Sequence, residues 1–361
     1  MDYRVVDSIS KIEKADWDAL FGDKPEGYGF YRALEESNLK EFSFFYVLLF
    51  EAGRLCCIAP VFLYEFFVGN VLEQTLGRIV AKLRSIFPRF LVFKTLFCGS
   101  PFGEHGTIGL RSDLQDRAAV IVQLAHTLQR FAEEQQARLI VFKDFCSEDA
   151  VLLDGLQAEG FFKTASFPSA IVELNVGSFD EYLGTLSHAT RKDLRRKLKK
   201  SGHRSFIRTE VVDSVDSVLD DVYRLYLQTH DAGATKFERL TRDFFLSISR
   251  NLGPHCKYFL YYVHEKLAAF NLCFLYGDLL IDKFIGFDYA VSRDCNLYFV
   301  SWCYNIAWCI QHGVRHYQVG QTDYAPKTRL GARLLPLYAY ARHTNFVINC
   351  LLKRLAHFLN R

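Results

Sequence analysis

Apolar and polar positions alternate along this chain in blocks, and two of the blocks have the same shape. Phe44–Phe50 and Leu55–Tyr64 are apolar runs separated by the polar turn Glu51-Ala52-Gly53-Arg54, a pattern that predicts a β-hairpin. Tyr258–Val263 and Leu267–Tyr276, separated by His264-Glu265-Lys266, repeat it, and Leu55–Tyr64 aligns with Leu267–Tyr276 at a constant offset. The second copy continues through Gly277-Asp278 into a third strand, Leu279–Phe287. Each half then offers a long helix and a strand: Asp116–Gln136 followed by Arg138–Phe142, and Asn296–His312 followed by Arg315–Val319. Helical sequence precedes each hairpin, at Lys14–Leu20 and Tyr31–Ser37 and again at Ser217–Thr229 and Arg242–Arg250.

The shared order of helices, antiparallel strands, helix and strand predicts a structural duplication in an α/β fold with mixed sheets (α+β in character), not a doubly wound sheet. A boundary near Asn175–Ser178 divides the chain into residues 1–176 and 177–361, with the active site expected in the second part. Its length of 361 residues suits two domains, and a composition that is 50% hydrophobic and 15% aromatic supplies a core for each.

Charge changes the picture only locally. A net charge of +3 does not mark a nucleic-acid protein, but Leu186–Lys200 is strongly basic. Leu194 and Leu198 share one face, Arg191, Arg195, Arg196, Lys199 and Lys200 occupy the others, and Asp193 is the one acid within the run from Arg191 to Lys200. Such a helix is either a solvated face or a phosphate site, for which the arginine fork is well shaped. Val71–Phe90 and Phe346–Arg361 are amphipathic and basic, and fit packing on the body or lying in an anionic lipid interface. Ten cysteines without CxxC or Cys/His ligand spacing read as buried reduced thiols, with no metal expected. Met1-Asp2-Tyr3-Arg4 does not open a signal peptide, and no apolar run reaches bilayer-spanning length. The expectation is a cytoplasmic protein, soluble or peripheral on the inner membrane face.

Chemistry is expected where the second unit's strands open into polar loops. Asp288 and Tyr289 end one strand, Ser292 and Arg293 precede the apolar helix whose N-terminus suits phosphate, and Gln321, Asp323, Tyr324, Lys327 and Arg329 follow the last strand. Together they offer an acid, a phenol and cations able to move protons and hold an anion.

Three segments resemble the FemAB/FemX-like and predicted N-acyltransferase branch of the GNAT superfamily: the basic helix Ser187–Lys200, the strand end Gly286-Phe287-Asp288-Tyr289, and Gly313–Gly331 with Tyr324, Lys327 and Leu330-Gly331. Ala15–Leu20 and Ala33–Ser37 resemble the family's opening. The resemblance implies two tandem GNAT-like units and direct attack of an amine on a thioester or ester, without a covalent enzyme intermediate. On that reading Asp288 is the base and Tyr289 or Tyr324 the acid. Arg191, Arg195, Arg196, Ser292, Arg293, Lys327 and Arg329 hold donor or anion, and Gln321 and Asp323 meet the acceptor. The pyrophosphate signature Gln/Arg-x-x-Gly-x-Gly/Ala is missing before the Asn296 helix, which widens the donor from acetyl-CoA to longer acyl-CoA, an acyl carrier protein or aminoacyl-tRNA. The acceptor is then a small or lipid-linked amine, with tRNA and an anionic membrane as further partners. A non-catalytic binder of anionic lipid or nucleic acid is the alternative from another class.

Overall fold

A computed structural model describes residues 1–22, 24, 26–69, 82–204, 207–233, 239–321 and 323–359. The leading part of the basic run Val71–Phe90, including Val71, Leu72, Glu73, Leu76, Arg78, Ile79 and Val80, lies outside the described residues, as does Arg361. Among the described residues no helix is long and apolar enough to cross a membrane.

The chain folds into two compact units. Residues 1–23, 40–167 and 336–361 form the first. Its sheet draws on β1 (Asp2–Val6), β2 (Ser43–Glu51), β3 (Arg54–Phe67), β4 (Val92–Cys98), β5 (Gly109–Leu110), β6 (Leu139–Cys146) and β7 (Phe162–Ala165). The order is β1-β2-β3-β4-β6-β15-β7, with β5 beside β3, and the strand between β6 and β7 is β15 (Leu337–His343). Among the described residues of this unit only β4 and β6 pair in parallel, from Thr95↔Leu139 to Cys98↔Phe142. Their crossover is the helix Arg117–Glu134, which Asp116 caps by accepting the Ala119 N–H at 2.9 Å. Val120, Leu124, Leu128 and Phe131 recur at helical spacing and bury that helix against the sheet.

The second unit takes residues 24–39 and 168–335. It contains β8 (Ser169–Glu173), β9 (Ile207–Val212), β10 (Cys256–Val263), β11 (Lys266–Tyr276), β12 (Leu279–Phe287), β13 (His316–Gln318) and β14 (Arg333–Leu335), ordered β14-β8-β13-β12-β11-β10-β9. Again one pair is parallel, β12 with β13, and its crossover is the apolar helix Leu297–Gln311. The two β-hairpins, both crossover helices and the strands that follow them stand where the hydrophobic pattern put them.

The compact units do not divide the chain at residue 176. Each sheet is completed by a strand from the other half of the sequence: β8 enters the second between β13 and β14, and β15 returns to the first between β6 and β7. The helix Tyr28–Glu36 likewise belongs to the second unit, where Glu36 Oε2 accepts from Asn251 Nδ2 at 2.7 Å. Backbone pairing decides this membership, because a central strand left out of its sheet would strand N–H and C=O groups on both sides. The ten cysteines are unbridged and eight of them are buried.

Candidate active site

Strands β12 and β13 pair over three residues only, Leu279↔His316, Leu280↔Tyr317 and Ile281↔Gln318. Beyond Ile281 and Gln318 they part, β12 running on to Phe287 while β13 ends. The first β12 residue past the last pair is Asp282. A register shift against β11 follows at once, Cys273↔Asp282 giving way to Leu272↔Phe284, so that Lys283 has no register partner. Bulges of this kind re-aim side chains and recur beside active sites.

Asp282 ends a chain of buried polar groups. Its Oδ2 accepts from Asn271 Nδ2 and from the Tyr317 hydroxyl, each at 2.7 Å. The Tyr317 oxygen accepts from Asn305 Nδ2 at 3.0 Å, and the Tyr261 hydroxyl donates to Asn305 Oδ1. Asn305 and Tyr317 are wholly buried. Asp282 Oδ1 and Asn271 Oδ1 are buried here without a hydrogen-bond partner, as is the Tyr298 hydroxyl, which lies within the influence of the Asp282 charge. Unsatisfied buried oxygens are rare and costly, so the adjacent Asp282 and Asn271 oxygens are the unusual feature of this strand end. Burial pushes the Asp282 carboxyl up to about 6, against the opposing pull of hydrogen bonds from Tyr317, Asn271 and the Cys273 thiol and of the Lys327 charge. Burial raises the Tyr298 phenol, and the charges of Asp323 and Asp282 raise it further.

The loop after β13 is held close to this group. Gly320 has φ of +72°, and a Cβ there would stand 3.7 Å from Lys327 Nζ and 4.0 Å from the Asp282 carbonyl oxygen. The Tyr324 hydroxyl reaches the Pro168 carbonyl at 2.9 Å and also the Gln321 carbonyl. Tyr182 fixes the far end of the helix Tyr324–Arg329, donating to the Leu330 carbonyl at 2.7 Å and accepting from Trp302 Nε1 at 3.0 Å.

The basic helix His188–Arg204 packs its Leu194 and Ser201 side onto the entry of the Leu297–Gln311 helix. Ser201 Oγ donates to the Cys295 carbonyl at 2.6 Å, and Lys197 Nζ sits 3.3 Å from the centre of the Phe299 ring. Asp193 collects Arg196 at 2.7 Å, Lys197 at 2.9 Å and Arg329 at 2.8 Å, which holds its carboxyl well below the ordinary range, Lys197 foremost. Through Arg329 the arginine-bearing helix and the loop after β13 therefore meet.

The other residues singled out from sequence have varied placements. Arg191 donates to the carbonyls of Gly184 at 3.3 Å and Leu183 at 3.5 Å, closing the preceding helix. Arg195 is exposed, 3.7 Å from Asp180. Ser292 is buried, whereas Tyr289, Arg293 and Asp323 are exposed and Gln321 is half-buried. Asp288 is occupied structurally: Oδ1 accepts the Ala290 N–H at 3.0 Å as an N-cap, and Oδ2 lies 3.6 Å from Arg224.

Asp282, Asn271, Asn305 and Tyr298 were missed by the sequence reading. Their signal was available: each is a polar residue inside an apolar run, as in Leu279-Leu280-Ile281-Asp282 and Ala269-Phe270-Asn271-Leu272. At the first unit's parallel pair the described residues close the corresponding gap. Past Cys98 and Phe142, the Gly106 N–H donates to the Asp144 carbonyl at 2.7 Å, and a Cβ on Gly106 would fall 2.2 Å from the Lys143 carbonyl oxygen and 2.7 Å from the Phe145 ring.

Comparison with known proteins follows the same lines. Residues 8–344 match the FemAB-like family, described as peptidoglycan biosynthesis/recognition. A Mycobacterium tuberculosis protein provisionally named 8-amino-7-oxononanoate synthase 2 is 26% identical over 325 residues, covering 88% of this chain and 42% of that one. The chain thus spans less than half the length of that curated relative. Among solved structures, FemX is similar with a TM-score of 0.60 at 13% identity, over 98% of this chain and 100% of its own. A tandem GNAT protein from the clavulanic acid biosynthesis pathway is similar with a TM-score of 0.54 at 10% identity, over 95% and 99%. The fold is that of tandem GNAT proteins.

Proposed function

We propose that this chain, which belongs to the FemAB-like family and has the tandem GNAT fold, is a transferase whose second unit passes an acyl or aminoacyl group from an activated, phosphate-bearing donor to an amine. The reaction is placed where β12 and β13 part. In it the amine nitrogen attacks the donor carbonyl, the new C–N bond forms and the C–S bond of a thioester or the C–O bond of an ester breaks. Asp282 accepts the proton lost by the amine. The Tyr298 hydroxyl, kept protonated by burial and nearby carboxylates, is the group to donate to the leaving sulfur or oxygen. Alignment and charge do the rest, with no nucleophile from the protein. The observation that carries this reading is the buried Asp282 Oδ1 without a hydrogen-bond partner, with the likewise unpartnered Tyr298 hydroxyl within the influence of the Asp282 charge.

Arg196, Lys197, Arg329 and Lys327 bring positive charge to the entry of the Leu297–Gln311 helix and to the loop after β13, which supports a donor rich in phosphate. Acyl-CoA is the donor we favour; aminoacyl-tRNA offers the same phosphate chemistry with an ester in place of the thioester.

The test pairs two variants. Amine-dependent release of free thiol from a graded acyl-CoA series, and transfer from charged tRNA, are measured for the wild-type chain, Asp282→Asn and Asp288→Ala. Asp282→Asn is expected to lose about 10²- to 10⁴-fold in turnover while still binding donor. Asp288→Ala is expected to stay within a few-fold of wild type and to cost about 0.5–2 kcal/mol of stability as a lost cap. Full turnover by Asp282→Asn would sink the proposal.

A further inference from the structure

The first unit carries a surface that this chemistry does not use. The helix Phe346–Leu359 is fixed on the sheet by Asn349, whose Oδ1 accepts the His343 N–H at 2.8 Å and whose Nδ2 donates to the Gly160 carbonyl at 3.0 Å. Leu352 and Ala356 face inward. With that orientation set, Phe346, Val347, Leu351 and Phe358 turn outward, between 58% and 79% exposed. Lys353 and Arg354 are exposed among them, and the segment 344–361 contains no acidic residue.

A second segment has the same chemistry. Ile86 and Phe87 are 64% and 62% exposed beside exposed Lys82, Arg84 and Arg89, and the Arg84 guanidinium stacks 4.0 Å from the centre of the Phe67 ring. No acid lies between residues 82 and 103. Both segments leave the same end of the same sheet. Arg138 donates its N–H to the Lys94 carbonyl at 2.8 Å, Thr344 donates to the Arg138 carbonyl at 2.9 Å, and the Phe93 ring meets His343 edge-on at 5.0 Å. Two strand spacings, about 10 Å, therefore separate the start of β4 from the end of β15. The acids near this end, Glu65, Glu133, Glu134 and Glu159, sit on β3, on the Arg117–Glu134 helix and beside Gly160, outside both segments, and Glu159 is paired with His126 at 2.7 Å.

Large apolar side chains grouped together at more than half exposure mark an interaction surface in a folded protein. Interleaved with cations and free of acids, they match one partner: apolar tips enter the headgroup layer while Lys and Arg meet lipid phosphates. We propose that this end of the first unit docks on the surface of an anionic lipid bilayer. The proposal is independent of the transfer chemistry.

The full chain is co-sedimented with neutral phosphatidylcholine vesicles and with vesicles containing phosphatidylglycerol, across a salt series. Binding is expected to favour the anionic vesicles by about tenfold or more and to weaken as salt rises. Lys353→Glu with Arg354→Glu should abolish that preference, and Phe87→Ser with Leu351→Ser should lower binding to both vesicle types; circular dichroism and melting confirm that each variant is folded. Equal binding to neutral and anionic vesicles, absence of binding, or binding that both variants retain overturns the proposal. So does a dimer in sedimentation velocity that the serine variant dissociates, because a second copy would then cover the patch.

Discussion

The Tyr317 hydroxyl donates to Asp282 Oδ2 at 2.7 Å, and the other carboxylate oxygen, Oδ1, is buried with no hydrogen-bond partner. One oxygen is anchored by the fold and the other is the one the proposed proton transfer uses. That asymmetry lets the behaviour of Asp282 be predicted separately from that of its neighbours.

Asp282 titrates at about 6 in the folded chain against an ordinary 3.8, so turnover should rise with pH through a limb centred near 6 and level off above it. The same shift has a stability sign. The folded state holds the extra proton between these values, so the melting temperature should fall as pH rises from about 4 to 6 and then stay flat. Melting curves of Asp282→Asn across that window should show no such fall. A limb unchanged in position with any surviving Asp282→Asn activity would assign the base elsewhere.

Tyr317→Phe removes a donor that favours the ionised carboxylate. The acid limb should move to higher pH, while turnover on the plateau stays within a few-fold of wild type. Asn305 Nδ2 loses its acceptor in the same variant, so urea unfolding should register a loss of about 1–3 kcal/mol. A stability loss without movement of the limb would leave Tyr317 a packing residue only.

Lys283 and Glu26 form an ion pair at 3.0 Å with side chains only 2% and 8% exposed. Glu26→Ala leaves a buried ammonium without this partner and should destabilise by about 3–5 kcal/mol in urea. Glu26→Leu combined with Lys283→Met should recover most of that loss, since well-packed apolar groups replace both charges. A cost below about 1 kcal/mol for Glu26→Ala would show that the pair does not hold residues 24–39 in the second unit.

Much of this architecture could be read from hydrophobic pattern, and the reasons it could not all be read are physical. Strands β2, β3, β10 and β11 announce themselves because both faces are buried and the turns between them are polar. The Leu297–Gln311 helix is legible because it is apolar nearly all round. In contrast β8 and β15 are short, and their pairing partners lie far off in sequence, so no local pattern says which sheet they complete. The sequence reading looked to the loops that follow β12 and β13 and not into the strand itself. A carboxylate such as Asp288, placed before a short helix, satisfies backbone N–H groups, whereas Asp282 sits one residue past the last β12–β13 pair inside an apolar strand. Only the pairing register shows that its strand loses a neighbour at that residue.

The reciprocal donation of β8 and β15 also bears on biosynthesis. On a translating ribosome the first sheet has six of its seven ordered strands in place by residue 165, yet its gap between β6 and β7 waits for residues 337–343 to emerge. The intervening second unit can assemble meanwhile around β8, already supplied by the leading half. Vectorial synthesis thus finishes the second unit first, and a chain released before residue 337 would carry an incomplete first sheet with two open strand edges where aggregation begins.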